Sequence, residues 1–69
     1  SKLSKNYIIF AEKTEKSLFD KNIKDYAQYK SKAKLTLGNQ IYITYDKTIN
    51  SKYDIEINQK VLSRIKNTL

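Results

Sequence analysis

Lys34-Leu35-Thr36-Leu37-Gly38-Asn39-Gln40-Ile41-Tyr42-Ile43-Thr44-Tyr45-Asp46 holds the only glycine of a 69-residue chain, set between two runs of aliphatic, β-branched and aromatic residues. Such runs suit strands, and Gly-Asn between them signals a hairpin turn. Two registers compete. A two-residue Gly38-Asn39 turn opposes Leu37 to Gln40 and Leu35 to Tyr42, which sets the leucines on the face opposite Ile41 and Ile43. A three-residue loop, Gly38 to Gln40, opposes Leu37 to Ile41 and Leu35 to Ile43 and gathers all four aliphatics on one face. Each buried aliphatic is worth roughly 1.5–3 kcal/mol, so burial favours the three-residue loop or a bulge, and Tyr42 and Thr44 then point to the outer face.

Beyond a polar connection at 47–51, Lys52-Tyr53-Asp54-Ile55-Glu56-Ile57-Asn58 alternates cleanly and reads as a strand with Tyr53, Ile55 and Ile57 inward. Asn58 then caps a last helix, Gln59 to Leu69, whose Val61, Leu62, Ile65 and Leu69 share one face. Upstream of the hairpin, Phe19, Ile23, Tyr26, Ala27 and Ala33 recur at helical spacing within Ser17 to Ala33, with Ser17 as cap and Asp20 at the positive end. Lys30 falls in that stripe, its alkyl stem able to lie over the core. Residues 6–12, Asn6 to Glu12, are dense in β-branched and aromatic types and favour a strand, although Ile8, Ala11, Glu15 and Leu18 also fit the opening of a helix. The fold class is α+β. A three-stranded antiparallel sheet, four-stranded if residues 6–12 are a strand, carries one or two helices on one face, in the order β-α-β-β-β-α or α-β-β-β-α.

Sixty-nine residues make one small domain, which buries only about 60% of the surface its unfolded chain exposes. Cysteine and histidine are both absent, so neither disulfides nor a zinc centre can staple it, and no metal or cofactor is expected. The longest apolar run, Tyr7 to Ala11, is too short for a membrane span or a signal-peptide core. A chain that begins at Ser1 reads as processed or excised from something longer. Lack of cysteine slightly favours the cytoplasm and is equally compatible with secretion.

Fourteen Lys plus Arg against seven Asp plus Glu give a net charge of +7, a balance that points toward nucleic acid. Codon bias competes with that reading, since Lys, Ile, Asn and Tyr (13, 9, 6 and 6 residues) fill about half the chain, as AT-rich codons dictate. The weight therefore falls on arrangement. On a helix from Ser17 to Ala33, Lys21, Lys24 and Lys32 line the side opposite Phe19, Ile23 and Tyr26, and Lys34 extends the stripe. Lys60 and Arg64, four apart on the last helix, add a second stripe, and Tyr42 on the outer sheet face is the candidate for base stacking. Asp46, Asp54 and Glu56 on that same outer face would repel phosphate, which moves phosphate contacts to the helices. One arginine is too few for base reading in a duplex groove, so the contact expected is insensitive to sequence.

Catalysis is not expected. General acid–base and nucleophilic chemistry lean on His, Cys or an activated Ser, and two of these types are missing. Asp54 and Glu56, two apart on a strand, form the single close carboxylate pair, and a solvated sheet face explains them better than a glycosidase or metal pair does. The rival to nucleic acid is a protein-interaction module, such as a small inhibitor, an adhesin or an assembly component, that uses its mixed Tyr/Lys surface or an exposed sheet edge, with oligomerisation open to it. Attachment to a membrane is the weakest reading, because the apolar face of the last helix is spent on the core.

Overall fold

The computed structural model describes residues 7–14 and 19–69, and the hairpin is there with its two-residue turn. Strand β2 (Ser31–Leu37) pairs antiparallel with β3 (Gln40–Asp46), Leu37 opposite Gln40 and Leu35 opposite Tyr42. Gly38 sits at φ 60° and is the sole described residue with positive φ, as a type II′ turn with glycine at its first central position requires. The expectation of a three-residue loop is thus overturned. Burial did not have to gather the aliphatics on one side, because the sheet is used on both. Ile41 and Ile43 are half-buried on one face, while Leu35 on the other stays 44% exposed.

Residues 8–13 form the expected strand, β1 (Ile8–Lys13), paired antiparallel with β3 from Ile8↔Asp46 to Lys13↔Ile41. The sheet order is therefore β1-β3-β2, with β3 in the centre. Between β1 and β2 runs α1 (Asp20–Tyr26), shorter than the helix expected from Ser17 to Ala33. Its C-terminal part was claimed by the hairpin. A seven-residue β3 is matched by a seven-residue β2 that draws Ser31, Lys32 and Ala33 out of helix, with a bulge between Ser31 and Ala33, and the Asp46 N–H donates to the Lys30 carbonyl at 2.8 Å. Ser17, the expected cap, lies outside the described residues.

The largest correction concerns Lys52 to Asn58. These residues are not a third hairpin strand but the first turns of one long helix, α2 (Lys52–Thr68). Alternation misled because the inward position is polar: Asp54 is buried while Tyr53 and Ile55 are exposed, and Asp54, Ile57 and Val61 follow helical spacing. Ser51 starts the helix by accepting a hydrogen bond from the Asp54 N–H at 3.0 Å, so Ser51-Lys52-Tyr53-Asp54 is a capping sequence of the Ser-x-x-acid type. Asn58, read as a cap, lies inside the helix, where its Oδ1 accepts from the Phe10 N–H at 3.3 Å.

The result is an α+β fold of a three-stranded antiparallel sheet and two helices. Ile9, Ala11, Phe19, Tyr26, Tyr42, Tyr45, Ile57 and Val61 make the core. By register, Ile9, Ala11, Ile41, Ile43 and Tyr45 share one face, flanked by Ile23 and Ala27 of α1. Phe10, Glu12, Leu35 and Tyr42 share the other, where Arg64 and Ile65 of α2 arrive. Among the described residues no helix is long and apolar enough to cross a membrane.

Replacing Gly38 isolates the turn term, because a Cβ there would meet nothing within 4 Å and only the φ of 60° opposes it. Gly38→Ala should lower the unfolding free energy by about 1 kcal/mol, read as a shifted urea midpoint with an unchanged slope.

Candidate functional site

Two buried carboxylates account for part of the positive charge before any ligand is considered. Glu12, 0% exposed on β1, accepts from Arg64 Nη1 at 3.1 Å through Oε1 and 2.8 Å through Oε2. Burying an unpaired carboxylate is prohibitive, so this arginine is fixed by the strand it faces. Asp54, 2% exposed, is the second. Its Oδ1 accepts from the Tyr26 hydroxyl at 2.8 Å, and its Oδ2 accepts from the Asn50 N–H at 3.3 Å and pairs with Lys47. Lys47 Nζ also donates to the Thr48 carbonyl and Asn50 Oδ1, and lies 5.7 Å from the Tyr29 ring centroid, a cation–π distance.

Burial pushes the Asp54 carboxyl up, but the hydrogen bonds from Lys47, Tyr26 and Asn50 outweigh it and hold the group below the usual carboxylate value. Tyr26 moves the opposite way. Burial first, then its bond to the Asp54 carboxylate, raises its phenol well above the ordinary tyrosine value. Neither group is poised for proton transfer near neutral pH. The expected Asp54/Glu56 pair is dissolved by the helix: Asp54 is enclosed in this cluster and Glu56 is exposed on α2. Among the described residues, no three acidic, His or Cys side chains converge to hold a metal ion.

An open groove of about 520 Å³ lies on the α1 face of the sheet. Ile43, Tyr45, Tyr29 and Ile23 line it together with three lysines, Lys13, Lys32 and Lys34, and among the described residues no acidic side chain does. Register explains the gathering. Lys13 stands opposite Ile41 and Lys34 opposite Ile43, so both share one face from strands on either side of β3, while Lys32, in the bulge, borders this groove and also one on the opposite face beside Ile8 and Phe10. The acids expected on an outer sheet face are elsewhere, since Asp54 and Glu56 are helical and Asp46 pairs with Ile8 on the opposite face. Their absence removes the electrostatic objection to a phosphate contact on the sheet.

The residues proposed from sequence are dispersed. Lys21 and Lys24 are exposed on α1, as expected, but Lys32 and Lys34 belong to β2 and not to a helix. Lys60 and Arg64 line a separate groove of about 660 Å³ with Phe19, Gln59 and Ser63, which among the described residues shares no lining residue with the first, and Arg64 is engaged by Glu12. Tyr42 does not reach the outer face: it is 2% exposed, in register with Glu12 and Leu35, and its hydroxyl donates to Gln40 Oε1 at 2.7 Å. Lys13 was missed. Alternation along residues 8–13, with Ile9, Ala11 and Lys13 on one face, was the signal that placed it.

Asp54→Asn should cost about 3 kcal/mol in a urea titration at neutral pH, as removal of one partner from a buried pair does. Because the folded-state value is depressed, the part of this contribution that depends on ionisation is complete above the ordinary carboxylate value and is lost as pH falls through the lower folded value. The gap between parent and variant should hold from neutral pH down to about pH 4 and narrow only below it. No protein-family model, curated protein or solved structure matches this chain.

Proposed function

We propose that this is a non-catalytic binding domain that holds the phosphate backbone of nucleic acid, without reading sequence, on the sheet face bounded by Lys13, Lys32 and Lys34. One observation carries the reading: three lysines line one open groove, and among the described residues no acid lines it with them. Ammonium groups neutralise phosphates as point charges and release their counterions, which supplies affinity without base contacts. Lys21 and Lys24 on α1 add to the attracting field. Arg64, the only guanidinium in the chain, is bound to Glu12, which agrees with a contact that does not read bases. Tyr45 is buried and Tyr29 already faces Lys47 and Tyr26, so the aromatic residues support the groove more than they offer stacking faces.

A protein partner is favoured by a different feature, the exposed strand β2, which among the described residues has no strand partner besides β3.

Oligonucleotide titrations at several salt concentrations test the first reading. Affinity should fall steeply with salt, and the triple substitution of Lys13, Lys32 and Lys34 by Gln should reduce the slope of log K against log salt by about two to three. Lys66→Gln on α2 should reduce it by about one at most. No binding at low salt, or a triple variant that keeps the parent slope, rejects the proposal.

A further inference from the structure

The two edges of the sheet are finished differently. On β1 the Phe10 N–H is satisfied by Asn58 of α2, and both helices pack against the strand. On β2 six of seven residues are exposed, and among the described elements β3 is its only strand partner. An edge left this way presents a row of N–H and C=O groups in the geometry that a further strand needs. The two faces beside that edge also differ in chemistry. Next to Leu35, on the α2 face, a pit of about 200 Å³ opens between Phe10, Leu35, Tyr42 and Ile65, its surface mainly apolar although Lys34 and Thr44 also contribute to its walls. On the other face stands Lys34, with Lys32 in the bulge behind it.

We infer that β2 accepts an extended peptide segment as a fourth strand, and that the segment alternates apolar with acidic side chains. Residues of an added strand point alternately to the two faces. Positions beside Leu35 meet the apolar pit, and positions beside Lys34 meet ammonium groups, so one periodicity satisfies both. Charge also weighs against a second copy of this chain in two registers. Self-pairing with full overlap of residues 31–37 is centred on Lys34 and opposes it to itself, and centring on Ala33 opposes Lys32 to Lys34, where like charges destabilise a cross-strand pair. Centring on Leu35 opposes Lys34 to Thr36 and brings no lysines together, so the self-association arm of the test covers that register, whereas the lysines complement an acidic strand in every register.

A seven-residue peptide alternating Glu and Val, titrated into the full chain and followed by backbone amide exchange, tests this without any nucleic acid. Amides within 31–37 should gain protection of tenfold or more, with β1 unaffected. A peptide of the same composition with its valines and glutamates in separate blocks, and one with Lys in place of Glu, should each bind at least tenfold more weakly. Lys34→Glu should reverse the preference toward the Lys–Val peptide, a gain that misfolding cannot produce. Equal binding of alternating and blocked peptides would overturn the inference, as would protection confined to the helices. So would concentration-dependent self-association that protects β2 before peptide is added. Lys32 and Lys34 belong to both surfaces, but amide protection by peptide is read without nucleic acid, so its failure is distinguishable from failure of the oligonucleotide slope.

Discussion

A carboxylate buried at the first turn of α2 holds the elements of this protein together. Asp54 receives Tyr26 from α1, Lys47 from the chain leaving β3, and Asn50 from the connection, while its own N–H is capped by Ser51. A charge so enclosed is tolerable only when every lone pair is met, and among the described residues no buried side-chain nitrogen or oxygen lacks a partner. The cluster therefore acts as a geometric lock: α1, the sheet and α2 must all be in place for any one of its bonds to be worth making. Glu12 repeats the device at the other end of α2, through Arg64.

This use of charged residues inside the core explains which parts of the fold were legible. The hairpin and β1 were readable because β-branched and aromatic residues are dense there and a lone glycine marks the turn. Residues 52–58 were not, because periodicity reasoning assumes that apolar side chains point inward. Here Tyr53 and Ile55 point out and Asp54 points in, so a helix imitated a strand. The sequence did contain a contrary signal in Ser51-Lys52-Tyr53-Asp54, which local capping chemistry reads correctly. The extent of α1 was illegible for another reason. Ser31 to Ala33 have no decisive preference of their own and take the state that completes the ladder of β3, a non-local demand.

Once α2 was recognised as a helix, the electrostatics of the sheet changed with it. Asp54 and Glu56 left the face on which they had seemed to stand, and the same register that buried Tyr42 brought Lys13 and Lys34 to one side. Position now distinguishes cations that composition could not. Arg64 and Lys47 serve the core, whereas Lys13, Lys32 and Lys34 surround open space. A large net charge in a small chain is thus divided between internal neutralisation and a surface field, and only the second can attract a partner.

The strand order has a consequence for how the chain assembles. β2 and β3 meet across two residues, a closure that costs little entropy, whereas β1 reaches β3 only after α1 and β2 have been laid between them. The hairpin is consequently the most local pairing of the sheet, and β1 with β3 the more distant one in sequence. Without β1 the central strand would have a vacant side, and Arg64 would lack Glu12. The strand that comes first in the described chain is in this sense the keystone: it turns a local hairpin into a sheet tied to α2.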